Sequence, residues 1–212
     1  MREDLHTPIR LFCCDLNFSC EGRDNDGYIW SGGSAPQDWA FIDPKAYYDW
    51  HMAFGNTAMF CQAYTASGYA FYDTKLGPTA PGPGRELFPA LYELSRADGV
   101  PMWGYLTTGA DLLMSNLRDD WVVPSSRNEA HFGFLAFETA WGDLLCERVR
   151  EFLSAFPVDW LLLDWFVYGS LHPNDFHVQP AAFVRQPFED IIGRPMPEQS
   201  EEITVAESLT YK

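Results

Sequence analysis

Four alternations of a short apolar run with a longer amphipathic stretch predict an α/β fold of the TIM-type (β/α)-barrel class, a partial barrel of four to five βα units. Two further observations sharpen this. The run Trp160-Leu161-Leu162-Leu163-Asp164-Trp165-Phe166 is almost uninterrupted apolar sequence, as a parallel strand buried on both faces requires. A closed barrel of eight units takes about 250 residues, so four strands in 212 residues amount to roughly half of one.

The elements follow in order. Ile9–Leu16 reads as the first strand, and the Gly/Asp/Ser-rich stretch from Glu21 to Gln37 is longer than a plain connection needs. Asp43-Pro44 predicts a helix start, with Asp capping free amides and Pro at the first helical position, and the helix should end near Gly55. Thr57–Gln62 is the second strand. The Pro/Gly run Gly77–Gly84 excludes helix and central strand, and a second helix should span about Glu86–Ala97 before Asp98-Gly99. The third strand is Met102–Leu106, leading into Thr107-Thr108-Gly109. Leu145, Val149, Phe152 and Leu153 at helical spacing predict a third helix over roughly Phe134–Phe156, and Trp160–Phe166 is the fourth strand. Phe183–Lys212 is weakly patterned and rich in Pro and Glu. We expect residues 1–212 to form a single (β/α) domain cut short at its C-terminal end. An open doubly wound sheet, or two copies pairing through exposed sheet edges, are the alternatives.

Composition excludes several functions. With 47% hydrophobic residues the chain can bury a core. A net charge of −16 leaves no basic stripe for displacing counterions from a nucleic acid. No stretch approaches the ~20 apolar residues of a membrane span, and Met1–His6 lacks the apolar segment of a signal peptide, so a cytoplasmic location is expected. The five cysteines are odd in number and irregularly spaced; Cys13, Cys14 and Cys61 lie in apolar runs and should be buried thiols.

In a parallel sheet wrapped by helices, polar residues at the carboxyl ends of the strands converge on one mouth. Here those ends carry Asp15 and Asn17, then Gln62 and Tyr64, then Tyr105, Thr107 and Thr108, then Asp164. Hydrogen-bonding groups interleaved with aromatics such as Tyr69 and Trp165 suit a sugar, whose hydroxyls need polar partners and whose apolar faces stack on rings. Asp164 is the sharpest signal: a carboxylate between Leu163 and Trp165 is costly unless paired, hydrogen-bonded or used. Retaining glycosyl transfer uses such a carboxylate as nucleophile, with a second about 5 Å away as acid/base. A structural carboxylate is the competing reading. His172 and His177 could join Asp15 and Asp164 as metal ligands, although loop histidines more often have no such role. The prolines of Gly77–Gly84 lack the amides that cradle a phosphate, and no nucleophile-elbow motif is present. No cofactor is implied.

The segments Phe54–Thr57, Gly68–Lys75, Arg85–Leu87 and Gly99–Tyr105 resemble the start of α-L-fucosidase-like barrels, and more closely a related group of hypothetical glycoside hydrolases. In fucosidases the second strand leads into a His-His-Asp-Gly-Phe-Ala-x-Trp pattern; Gly68, Tyr69, Ala70 and Tyr72 stand in its last positions. Val158–Asp164 is similar to the fucosidase fourth strand ending in the nucleophilic Asp. Thr65 and Ala66 replace the paired histidines that hold the fucose ring, so the resemblance implies a glycosidase without fixing its sugar. It covers roughly residues 9 to 170. It implies Asp164 as nucleophile and an acid/base residue beyond this sequence. From the strand-end positions themselves we expect a carbohydrate partner, with Asp15, Asn17, Gln62, Tyr64, Tyr69, Tyr105, Thr107 and Trp165 as its contacts. A chain with one of the two carboxylates is expected to be inactive by itself. A non-catalytic carbohydrate-binding module, and a metal-dependent hydrolase using the two histidines, are the remaining readings.

Overall fold

Asp43 does what the sequence predicts: in a computed structural model its carboxylate accepts from the amides of Lys45 and Ala46 and starts α1, Pro44–Ala53, with Pro44 in the first turn. Such a cap is worth about 1 kcal/mol. The structure describes residues 9–13, 42–122, 135–164, 182–197, 203–204 and 206–207. The chain divides into two compact units, Met1–Thr107 with Glu147–Asp164, and Thr108–Cys146 with Trp165–Lys212.

The first unit is built on a parallel sheet of β1 (Met59–Tyr64), β2 (Met102–Thr107) and β3 (Trp160–Asp164), in that spatial order. α2, Leu87–Asp98, joins β1 to β2 and stops at Gly99, whose φ of 69° is the left-handed value that glycine adopts freely. One sheet face carries Met59, Cys61, Ala63, Met102 and Leu106, all buried with Phe88 and Leu91 of α2 and with Phe152. Gly104 sits within this face because a Cβ there would come 2.7 Å from the Phe152 ring. Phe152 packs on Phe88 at 4.9 Å, Tyr72 at 5.6 Å and Phe156 at 5.7 Å between ring centroids.

β1 does not keep its alternation to the end. The register runs Gln62↔Tyr105 and then Tyr64↔Leu106, so one residue is inserted, and Ala63 and Tyr64 both turn to the helix-packed core. There the Arg148 guanidinium lies 4.0 Å over the Tyr64 ring, and its Nε donates to the Leu76 carbonyl at 3.3 Å. The chain passes so close at Gly77 that a Cβ would run into the Tyr64 phenol oxygen. Glu151 binds the same segment, accepting from the Thr74 hydroxyl, from the Lys75 amide at 3.0 Å and from the Tyr72 phenol at 3.5 Å. Burial and then the charge of Glu151 push the Tyr72 phenol well above its ordinary pKa.

Ile9–Cys13, the described part of the expected first strand, is not strand. It is a strap: the Arg10 amide donates to Thr57 Oγ1 at 2.8 Å, the Thr57 amide donates to the Arg10 carbonyl at 2.9 Å, and Phe12 stacks on Phe54. Cys13 is exposed, which corrects the expectation of a buried thiol; Cys61 is buried, and Cys14 lies outside the described residues. β3 also departs from expectation. Among the described strands it stands at the end of the order, and its residues are only partly buried or exposed, with Leu162 37% exposed.

In the second unit, α3 (Leu112–Leu117) is capped by Asp111, whose carboxylate accepts from the Met114 amide at 2.8 Å. α4, Ala140–Ala155, gives its first residues to this unit and its last to the other. It begins later than its apolar pattern suggests: Leu135 bridges Val122, and Thr139 Oγ1 accepts from the Trp141 amide at 3.2 Å. Trp121, Leu135, Trp141 and Leu145 form the local core, with the Trp141 indole donating to the Thr108 carbonyl at 2.9 Å. α5, Ala182–Ile192, occupies part of the stretch read as weakly patterned and contains Pro187. Among the described residues no helix is long and apolar enough to cross a membrane.

Candidate functional site

Among the described residues three parallel strands end at one rim, and the bulge in β1 decides which side chains meet there. Leu161 and Leu163 pack toward the helix-side core. The alternate residues Trp160, Leu162 and Asp164 therefore occupy the opposite sheet face. Trp103 meets Trp160 there, ring centroids 5.1 Å apart, and Phe60 meets Tyr105 edge-on at 5.8 Å. The face is aromatic toward the start of the strands and polar toward their ends.

At the polar end Gln62 pairs in register with Tyr105, and Thr107 pairs with Asp164. The Tyr105 phenol donates to Asp164 Oδ2 at 3.1 Å. The bond spans two neighbouring strands and holds the carboxylate in one orientation. Gln62, Tyr105 and Thr107 are buried while Asp164 is exposed. The Thr107 hydroxyl donates to the Tyr64 carbonyl at 3.3 Å, which ties the end of β2 to the bulged end of β1.

Of the residues the sequence singles out, the structure thus brings Gln62, Tyr105, Thr107 and Asp164 together at the ends of adjacent strands. Tyr64 does not join them, because the inserted residue turns its ring into the core beneath Arg148. Tyr69 is half-buried in the turn that follows β1: its carbonyl accepts from the Thr65 amide at 3.0 Å and from Thr65 Oγ1 at 3.1 Å, and Gly68 supplies a φ of 93°. Asp15, Asn17, Trp165, His172 and His177 lie outside the described residues. Among the described residues no group of three His, Cys, Asp or Glu side chains is placed to hold a metal ion.

Arg148 and Glu151 are what the sequence reading missed. Both sit on α4 and fasten the segment that returns from the turn after β1. The available signal was their spacing of three, two charges on one helix face beside the apolar Leu145, Val149 and Phe152.

No protein-family model matches the chain, and no curated protein matches it. Solved structures do. The chain is similar to α-L-fucosidase isoenzyme 2 from Paenibacillus thiaminolyticus, with a TM-score of 0.62 at 15% identity over 81% of this chain and 26% of that one. It also matches the Thermotoga maritima α-fucosidase in complex with fucose, with a TM-score of 0.47 at 20% identity over 59% of this chain and 29% of that one. For the GH29 α-L-fucosidase from Bacteroides thetaiotaomicron the TM-score is 0.45 at 14% identity, over 61% and 28% of the two chains. The first of these likenesses is one of fold, and the chain spans about a quarter of the length of that fucosidase.

Proposed function

We propose that the chain is part of a (β/α)-barrel glycoside hydrolase that cleaves O-glycosidic bonds with retention, with Asp164 as nucleophile and Tyr105 positioning it. The observation that carries this reading is the hydrogen bond from Tyr105 to Asp164 toward the carboxyl ends of β2 and β3, on the sheet face opposite the one packed on α2 and Phe152. The fold likeness to an α-L-fucosidase supports the barrel.

The chemistry follows from the carboxylate. An Asp164 oxygen attacks the anomeric carbon, the bond from that carbon to the leaving oxygen breaks, and the leaving oxygen takes a proton from a second carboxyl group. Water then attacks the same carbon, gives its proton to that second group, and frees Asp164. No cofactor enters either step. Gln62 and Thr107 are assigned to the sugar hydroxyls, together with Tyr69 and with Asp15, Asn17 and Trp165. Tyr64 is left out, since its ring belongs to the core. The histidine pair that holds fucose in the resembling family is replaced here by Thr65 and Ala66, whose turn is closed by its own hydrogen bonds. The proposed substrate is therefore a carbohydrate and not fucose in particular.

A mechanism-based label tests this directly. The chain, expressed with whatever in-frame sequence its gene carries on either side, is incubated with a panel of 2-deoxy-2-fluoroglycosyl fluorides that includes the α-L-fucosyl compound. A covalent adduct is expected on Asp164, within the tryptic peptide running from residue 151 to 185. An adduct on another carboxylate, or turnover of a matching nitrophenyl glycoside with no adduct at all, removes Asp164 as nucleophile.

A further inference from the structure

We infer that His51 is an acid-sensitive latch that holds the strap Ile9–Cys13 against the end of α1, closed while its imidazole is neutral and released when it takes a proton. The inference concerns the folding of the first unit and stands apart from the carboxylate chemistry.

The geometry carries it. His51 is fully buried, with its ring 4.4 Å from the Tyr47 ring, 4.9 Å from Trp50 and 5.7 Å from Phe12 between centroids. Its Nδ1 lies 3.2 Å from the side-chain nitrogen of Asn56. With that amide donating, Nδ1 is the acceptor and Nε2 carries the proton, and Nε2 meets no hydrogen-bond partner among the described residues. A second proton has to go on Nδ1. It would then face a donor, leave two N–H groups without acceptors and bury a charge away from water. The amide would have to turn over, or the cage of rings would have to open.

The cage opens most easily at the strap. Two hydrogen bonds between Arg10 and Thr57 and the ring contacts of Phe12 hold it, and Phe12 is 44% exposed where it crosses His51. Among the described residues α1 carries Tyr47, Tyr48 and the Lys45–Asp49 ion pair behind the Asp43 cap, the strap carries Arg10 and Cys13, and α2 carries Tyr92, Glu93, Arg96 and Asp98, the last engaged by Tyr48. Burial is what lowers the pKa of His51, with no charged neighbour adding to it. The closed form therefore resists protonation. Its stability is full above the ordinary histidine value of 6.5 and is lost as the pH falls below it.

Hydrogen exchange on the full chain tests the latch through the amides of Arg10 and Thr57. After correction for intrinsic exchange, opening at these amides should be about tenfold more frequent at pH 5.5 than at pH 7.5, the limit for a histidine that stays neutral while closed. His51→Phe should abolish this response. Asn56→Asp should abolish it too, because a carboxylate beside Nδ1 accepts from the charged ring; this variant keeps the test open if His51→Phe does not fold. Equal corrected rates at the two pH values in the wild type, or an undiminished acid response in either variant, overturn the inference. So does a His51 ring titration midpoint at or above 6.5 by NMR.

Discussion

In the protein expressed with the in-frame sequence that flanks this chain, Asp164→Asn should lower kcat on the best nitrophenyl glycoside by at least about a thousandfold while leaving it folded, since losing a nucleophile removes the covalent route outright. The exchange is close to isosteric, and Asp164 is exposed, so little packing changes. Tyr105 supplies the comparison. Tyr105→Phe keeps the ring against Phe60 and removes only the donor that orients the carboxylate. Its kcat should fall by roughly tenfold, the effect of about 1.4 kcal/mol, with KM little changed. Parallel thermal melts separate chemistry from folding. If Asp164→Asn keeps wild-type turnover, the carboxylate is structural and the hydrolase reading loses its nucleophile.

The largest effect on stability is expected at Phe152. The ring is fully buried between α2 and the sheet, over a backbone that has glycine at position 104. Phe152→Ala should destabilise the protein by about 3–5 kcal/mol, from lost transfer free energy plus the cavity left behind. That is a large part of the roughly 5–15 kcal/mol that holds a domain together. Gly104→Ala alone should cost about 1–3 kcal/mol by overpacking against the same ring. Combined with Phe152→Ala it should cost almost nothing, because the new methyl would enter the vacated space. Urea denaturation of the four proteins gives the coupling, and additive costs would show that the two positions do not share one space.

The contrast between these residues shows how much was legible. α1 and α2 were readable because their ends are chemical: Asp43-Pro44 opens one, and Gly99 in the left-handed region closes the other. The strands were readable as apolar runs, and the rule that strand ends share a rim placed Gln62, Tyr105, Thr107 and Asp164 correctly relative to one another. Tyr64 was misplaced because alternation assumes an unbroken register, and no residue in Gln62-Ala63-Tyr64 announces the insertion. α5 was missed because Pro187 ordinarily stops a helix, whereas here it is accommodated within one. The start of α4 was set too early because the apolar residues of Phe134–Phe137 continue its pattern, and only Thr139 marks the true beginning. Arg148 and Glu151 escaped notice because charges on a helix read as a solvated face. Their partners, Tyr64 and the Thr74–Leu76 segment, are more than seventy residues away in sequence.

The crossing of Gly77 over Tyr64 fixes an order of mutational events. The phenol is fully buried beneath Arg148, so a methyl group at position 77 meets it unless the ring or the returning segment shifts. A lineage descending from this chain should acquire a side chain at 77 most readily after its tyrosine has been shortened. Homologues with alanine or serine at that site should accordingly carry a smaller residue at 64, and would hold the returning segment by some other means than a guanidinium stacked on a ring.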